Sequence, residues 1–275
     1  MEFLWKTVHP AMSPTTPNGP RTVAGTVSPM EPSQHLEHLQ ADVERILATP
    51  VDRLDEAVQA CPGWTVTDLL GHHAGVFRFV LAQLRAEPGS DLVPFDPPDG
   101  TVPPLEMFSV AADEVVAALR ETDPEEHRPN WAGAPTAAFW FRRMAQEAAI
   151  HRVDAQLAYT TPDPIDAALA VDGIDELVDV FLPHAGARGI TGSGETLHLH
   201  ATDDAVASGA VEGGEWTFRF HEDGVDVERG HAKGDMAVRG AADQLLLFAW
   251  NRRPVEVECF GEPDPLSFWV RTVQI

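Results

Sequence analysis

The sequence LVDVFLPHAGARGITGSGETLHLHA, residues 177–201, contains the change of hydrophobic period that decides the fold. Before it, apolar residues recur at three- and four-residue steps, which is the period of a helix with one buried face. Beyond it, apolar and polar residues alternate, as they do in strands. Because helices followed by strands are typical of separate layers or domains, the switch near residues 185–195 predicts a two-domain α+β protein.

Four segments with a helical period precede the switch: residues 33–49, 65–84, 105–123 and 136–159. The second has a clear start, with Thr65 as N-cap, Asp68 closing a capping box and Trp64 placed as a hydrophobic staple. A further short helix ends near Pro183. Since the connections are short to moderate, we expect an antiparallel four-helix bundle within residues 33–185.

Segments with a strand period follow the switch: residues 196–201, 216–221, 225–229 and 236–239. Asp223-Gly224 lies between the middle pair and favours a hairpin turn. Helical patterns return at residues 241–251 and 264–273. These elements predict a small α+β domain over residues 190–275, with a short and mostly antiparallel sheet.

The first 32 residues differ from the rest of the chain. Six prolines lie there among Ser, Thr and Gly, without helical or strand periodicity. This composition predicts a disordered leader. No apolar run approaches the roughly 18 residues needed to span a bilayer, and no signal peptide is recognisable, so we expect a cytoplasmic protein.

The charge balance excludes two classes of partner. With 19 Lys and Arg against 43 Asp and Glu, the net charge is −24. Binding to nucleic acid or to an anionic membrane depends on clustered Lys and Arg, which this chain lacks. We therefore expect neither as a partner.

The chemistry is indicated first by Glu147 and His151. A spacing of four residues puts both on one face of the fourth helix, as two ligands of one metal require. Such a pair also occurs by chance on helix surfaces. Two further histidines, His72 and His73, lie near the apolar stripe of the second helix, and one of them would complete a set of two histidines and a glutamate. The spacing alone does not separate His72 from His73.

Several motifs occur in a specific order: CPGWTV (61–66), DLLGH (68–72), EAAIHRVD (147–154), GDMAVRG (234–240), WNRRP (250–254) and FGEP (260–263). In order and spacing they resemble the mycothiol-dependent maleylpyruvate isomerase family, over residues 33–275. The resemblance implies that the first domain is a DinB-like four-helix bundle. It also implies that the second domain is the C-terminal domain of that family.

The family resemblance further implies a divalent metal ion, usually zinc. Its ligands would be His72, Glu147 and His151. His72 is preferred to His73 because the ligand of the family lies four residues after the aspartate matched by Asp68. Three such ligands leave one tetrahedral position open, where a thiol or water would be deprotonated near neutral pH.

Mycothiol, the thiol that replaces glutathione in actinobacteria, would be the cosubstrate. The reaction implied is isomerisation or thiol transfer on a small electrophile. Candidate cationic contacts are Arg142, Arg143 and Arg152 for the thiol cofactor and Arg252 and Arg253 for catalysis, although each could instead be a solvated surface residue. Two alternatives stay open: a zinc hydrolase that uses the same ligands without a thiol, and a non-catalytic binding module.

A second group of histidines lies in the predicted sheet domain. His198 and His200 alternate on one strand and so share a face, and His221 and His231 lie on neighbouring segments. The pattern supplies them with no carboxylate or cysteine partner. Histidines of this kind are usually solvated, so we expect no metal site among them.

Overall fold

The computed structural model describes residues 30–95, 102–134 and 136–273. All of the predicted leader except its last three residues lies outside these ranges. The chain divides into two compact units between Asp163 and Pro164. No helix in the described ranges is long and apolar enough to cross a membrane.

The first unit is a bundle of four helices, which confirms the helical first domain. The helices are α1 (Pro32–Leu47), α2 (Val66–Arg85), α3 (Pro104–Glu121) and α4 (Ala138–Leu157). Helix α1 packs chiefly against α4, and α2 packs chiefly against α3. Most apolar side chains of these four helices are buried, and Val110 of α3 is an exposed exception.

Helix α2 begins at the predicted capping box. The Thr65 hydroxyl accepts a hydrogen bond from the Asp68 N–H, and the Asp68 carboxylate accepts one from the Thr65 N–H, at 2.9 Å. Trp64 packs on His72, with ring centroids 5.1 Å apart. The start of the helix therefore also sets the surroundings of a candidate ligand.

Helix α4 is buried on nearly all sides. Its buried residues include six with polar or charged side chains: Arg143, Gln146, His151, Arg152, Asp154 and Gln156. Buried polar and charged groups are costly unless they are paired. The buried polar side chains of α4 therefore require partners, and such a cluster is typical of a functional site.

The second unit contains a five-stranded sheet. Its elements are α5 (Ala167–Glu176), which continues as a π-helical turn (Leu177–Phe181), β1 (Thr196–Ala201), α6 (Asp204–Ala207), β2 (Glu215–His221), β3 (Gly224–Arg229), β4 (Met236–Gly240), α7 (Ala242–Ala249), β5 (Val257–Gly261) and α8 (Pro265–Thr272). The strand order is β3-β2-β1-β4-β5. Only β1 and β4 pair in parallel, so the sheet is mostly antiparallel, as predicted.

The boundary between the units lies earlier in the chain than the domain boundary predicted between residues 185 and 190. Helix α5 belongs to the second unit, where it packs against α7. Asp175 of this helix accepts hydrogen bonds from Trp216 Nε1 at 2.8 Å and from Arg229 Nε at 2.6 Å. The change of period marks where the strands begin, but these contacts place the preceding helix with the sheet.

The sheet has one aromatic face. Phe218 and Phe220 of β2 pack on Trp269 and Phe268 of α8, with ring centroids 5.3 and 4.9 Å apart. Because side chains alternate along a strand, the neighbouring residues of β1 and β2 lie on the opposite face. That opposite face carries histidines and a glutamate.

Candidate metal centre

Helices α2 and α4 bring together the three ligands implied by the family resemblance. Glu147 Oε1 lies 3.2 Å from His151 Nε2, one turn along α4, and 3.6 Å from His72 Nε2 on α2. The three donor atoms lie within 4.8 Å of one another. Neighbouring ligand atoms around a tetrahedral zinc ion with bonds of 2.0–2.2 Å are about 3.3–3.6 Å apart. The spacing therefore fits one small divalent ion.

Asp154 holds the imidazole of His151 in this arrangement. Its carboxylate oxygen lies 3.0 Å from His151 Nδ1, and the Asp154 side chain is buried. A carboxylate that accepts from Nδ1–H leaves Nε2 as the free donor atom, which is the usual support for a histidine bound to a metal. We did not assign Asp154 from sequence, although its position three residues after His151 on a helix is the signal that would have found it.

Arg143 holds the other end of the Glu147 carboxylate. Its Nη2 lies 3.3 Å from Glu147 Oε2, and the side chain is buried. The carboxylate therefore presents Oε1 to the two imidazoles and Oε2 to the guanidinium. This arrangement suits a ligand that binds a metal through one oxygen.

The charges of the centre are coupled. Burial by itself would raise the pKa of Glu147, but the charge of His151, hydrogen bonds from His151 and His72, and Arg143 hold it well below its usual range. Burial opposes protonation of His151, yet Glu147 and Asp154 raise its pKa to about 9. Without a metal the centre therefore contains a glutamate–histidinium pair, and a metal would take the place of the proton.

His73 has a different environment from His72. It is 1% exposed, and its ring packs on Phe77 at 4.4 Å and on Phe108 at 5.2 Å between centroids. Burial, together with the charge of His151, lowers its pKa well below the usual value. The choice that spacing left open is thus made by packing: His72 faces Glu147, and His73 packs among aromatic rings.

Arg152 has a packing role in place of the thiol contact expected from sequence. Its Nε donates to Asp42 Oδ1 on α1 at 3.0 Å, and its Nη1 donates to Gln156 Oε1 at 3.0 Å and to the Asp163 carbonyl. The side chain is almost fully buried. These contacts hold α4 against α1.

The roles of the other four arginines in binding thiol or substrate stay predictions; these are Arg142, Arg143, Arg252 and Arg253. Arg142 is half-buried and lies one residue before Arg143 on α4. Arg252 and Arg253 follow α7 in the second unit, where their guanidinium groups donate to backbone carbonyls at 2.9 and 2.7 Å, and that of Arg253 stacks on Phe248.

The Glu147 side of the centre borders apolar residues. A small crevice in the first unit is lined by Arg143 and Glu147 together with apolar side chains, which are those of Val76, Phe79, Val80, Trp131, Trp140 and Met144. Trp140 is fixed there by a hydrogen bond from its Nε1 to the Pro129 carbonyl at 3.1 Å. Apolar walls of this kind strengthen electrostatic interactions beside them.

The fold of this chain is similar to that of solved structures. One match is a crystal structure of the mycothiol-dependent maleylpyruvate isomerase, with 15% identity, a TM-score of 0.57, and coverage of 84% of this chain and 93% of that chain. A single-histidine mutant of that enzyme matches with 12% identity, a TM-score of 0.54, and coverage of 83% and 93%. At this identity the likeness shows a shared fold. A search of curated protein sequences finds no significant match.

Family models match both units. The model of the mycothiol maleylpyruvate isomerase N-terminal domain matches residues 36–156, and the model of the corresponding C-terminal domain matches residues 168–267. The two matches lie on either side of the boundary between the units, and together they span most of the chain. The chain therefore belongs to the mycothiol maleylpyruvate isomerase family.

Proposed function

We propose that this protein is a metal-dependent enzyme that uses mycothiol to isomerise a small electrophilic substrate or to transfer the thiol to it. The observation that carries the proposal is the convergence of His72 Nε2, Glu147 Oε1 and His151 Nε2 within 4.8 Å. Two imidazoles and one carboxylate suit zinc, and three protein ligands leave a position for a reacting group.

Membership of the family supports the use of mycothiol. The three donor atoms of His72, Glu147 and His151 support the binding of a metal ion. A divalent ion held by these residues would act as a Lewis acid and lower the pKa of a thiol or water beside it. Asp154 would keep His151 Nε2 directed at the ion, and Arg143 would keep Glu147 bound through one oxygen. The apolar crevice would limit the access of water to the reacting atoms.

Cationic side chains would favour an anionic substrate. Arg142 and Arg143 lie one turn before Glu147 and are the candidates on the same helix. We retain Arg252 and Arg253 as candidate substrate contacts from the second unit. For Arg142, Arg252 and Arg253, replacement by Ala should raise KM for a dianionic substrate more than for a neutral electrophile, since a guanidinium acts on the charge.

The decisive assay supplies maleylpyruvate, with and without mycothiol, to protein reconstituted with Zn²⁺. We expect product only when thiol and metal are both present. His72→Ala should abolish turnover and reduce bound zinc by about one equivalent. The matched control is His127→Ala, which removes an exposed imidazole of the same unit whose one described hydrogen bond is accepted from the Gly89 N–H.

Three results would overturn the proposal. Equal turnover without mycothiol would favour a zinc hydrolase. Failure to bind zinc after reconstitution would favour a binding module. Zinc binding without thiol consumption across a panel of activated alkenes and other electrophiles would exclude thiol chemistry on this class of substrate.

A further inference from the structure

Four side chains converge on the face of the sheet opposite the aromatic core. His198 and His200 come from β1, Glu215 begins β2, and His231 lies just beyond β3. One ligand atom from each of the four lies within 4.8 Å of the others. None of them belongs to the centre on α2 and α4.

Strand pairing explains the convergence. In the antiparallel register of β1 and β2, His200 lies opposite Glu215, and His198 shares the face of His200. Gly230 donates its N–H to the Glu215 carbonyl at 2.9 Å and has φ +116°, a conformation that favours glycine. The chain turns there, which brings His231 to the same carboxylate.

A single oxygen is the focus of the cluster. Glu215 Oε2 lies 2.9 Å from His198 Nε2, 3.3 Å from His200 Nδ1 and 2.7 Å from His231 Nδ1. The three imidazole planes are almost mutually perpendicular, with interplanar angles of 88–89°. Rings arranged in this way surround a point and do not stack on one another.

His198 Nε2 gives the cluster its second, independent signal. The side chain is only 8% exposed, and although Nε2 lies close to Glu215, it makes no hydrogen bond of acceptable geometry within the described part of the chain. Leaving a buried polar atom without a partner is costly. A bond from Nε2 to a metal ion would remove that cost.

We propose that His198, His200, Glu215 and His231 form a second metal site, which takes a divalent transition-metal ion of the zinc class. Imidazole donors select such ions over Ca²⁺ and Mg²⁺, which prefer oxygen ligands. Four protein donors fill a tetrahedral shell and leave no position for a substrate, as in structural zinc sites. The ion would cross-link β1, β2 and the segment after β3. This inference does not rest on the proposed enzymatic function.

His221 provides a matched control. It lies at the other end of β2, and its Nε2 is 2.7 Å from Asp226 Oδ2. His221 thus lies on the same strand as Glu215, but it pairs with a carboxylate of β3 and is outside the cluster. Its removal should leave metal binding unchanged.

The test measures metal content in the full chain, purified without a histidine tag, stripped with chelator, reloaded with Zn²⁺ and desalted. We expect about two equivalents in the wild type and in His221→Ala, and about one in Glu147→Gln. We expect about one in His231→Ala or His200→Ala, because the three donors left have no described support like that which Asp154 and Arg143 give the ligands on the helices, and should lose zinc on desalting. The double variant Glu147→Gln/His231→Ala should hold almost none. Loading Glu147→Gln with Co²⁺ should give the intense visible absorption of a tetrahedral site, and His231→Ala should remove it.

His231 is the most informative position because its side chain is 77% exposed, so its replacement should leave the fold intact, which circular dichroism would check. Two tightly bound zinc ions in folded His231→Ala and His200→Ala would overturn the inference. So would a Glu147→Gln variant that holds no metal. Loss of zinc from His72→Ala bears only on the helical centre, so failures of the two proposals are distinguishable.

Discussion

The two histidine clusters use the same donor types but differ in how many donors the chain supplies. On α2 and α4, three donor atoms meet, and Asp154 and Arg143 hold two of the ligands from behind. On the sheet, four donors surround one point, with Glu215 Oε2 in contact with all three imidazoles. Because an open position is what distinguishes catalytic from structural zinc, the number of donors is the basis on which we propose a catalytic role for the cluster on the helices and a cross-linking role for the cluster on the sheet.

The largest expected effect is that of Glu147→Gln on turnover, and its absence would contradict the contrast drawn between the two clusters. Glu147→Gln removes the anionic ligand, and a Lewis acid contributes several kcal/mol to a transition state, so mycothiol-dependent turnover should fall on the order of 10³-fold. The measurement is kcat with saturating Zn²⁺, alongside the exposed control Glu114→Gln on α3. Retention of a tenth or more of the wild-type rate would show that the helical centre is not the catalytic one.

A second prediction separates the roles of the arginines on α4. Asp42→Ala leaves the buried Arg152 guanidinium without its carboxylate and should lower the free energy of unfolding by about 3–5 kcal/mol. Zinc content should not change, because the described contacts of Arg152 are with Asp42, Gln156 and Asp163 and not with the proposed metal ligands. Denaturant unfolding checks the first part and metal analysis the second.

The control for Asp42→Ala is Arg45→Ala. Arg45 contacts the same carboxylate at 2.8 Å, but its side chain is 46% exposed. An exposed pair contributes only about 0–1 kcal/mol. Equal destabilisation by the two variants would contradict the assignment of the buried pair as the dominant contact.

A third prediction tests the support behind His151. Asp154→Asn keeps the shape of the side chain but removes the charge that fixes the imidazole, so zinc affinity at the helical centre should fall about 10–100-fold. Competition with a chromophoric chelator measures this in a His231→Ala background, where the sheet cluster does not contribute. An unchanged affinity would reduce Asp154 to a packing residue.

The smallest expected effect concerns pH. Because the pKa of His151 is raised to about 9 in the metal-free protein, zinc must displace a proton below that pH. Apparent zinc affinity in the same His231→Ala background should rise about tenfold per pH unit between roughly 7 and 9, and then level. Calorimetry in buffers of different ionisation enthalpy counts the released proton, and a flat profile would contradict the glutamate–histidinium pair.

The same shift has a consequence for the stability of the metal-free protein. A histidine whose pKa is raised in the folded state stabilises that state fully below its unfolded pKa, near 6.5, and this contribution is lost as the pH rises through about 9. Zinc should protect against that loss. Thermal unfolding with and without Zn²⁺ across this range would show whether the gap widens with pH.

Much of the fold followed from local patterns. Four bundle helices, four of the five strands and the capping box at Thr65 were predicted from period and turn residues, and the structure confirms them. The strand β5 was missed. It lies at the sheet edge, and although Val257-Glu258-Cys259 alternates, this short segment has a strand neighbour on one side only, β4, which the assembled sheet supplies.

The sheet cluster was missed for a related reason. From sequence, His198 and His200 had no visible carboxylate partner, because Glu215 becomes their neighbour only through the register of two strands. His231 joins them through the turn at Gly230. No helical or strand period connects His198 and His200 to Glu215 or His231, so only the assembled sheet shows that they share one oxygen.

By itself, the sequence placed Glu147 with His151, because the helix repeat puts residues four apart on neighbouring positions of one surface. The same kind of spacing relates Arg143 to Glu147 and Asp154 to His151, but only the structure showed those contacts. Tertiary structure decided the rest. Packing of α2 chose His72 over His73, packing of α1 turned Arg152 towards Asp42, and strand register placed Glu215 opposite His200. These choices depend on contacts between distant segments, whose geometry local periodicity does not contain.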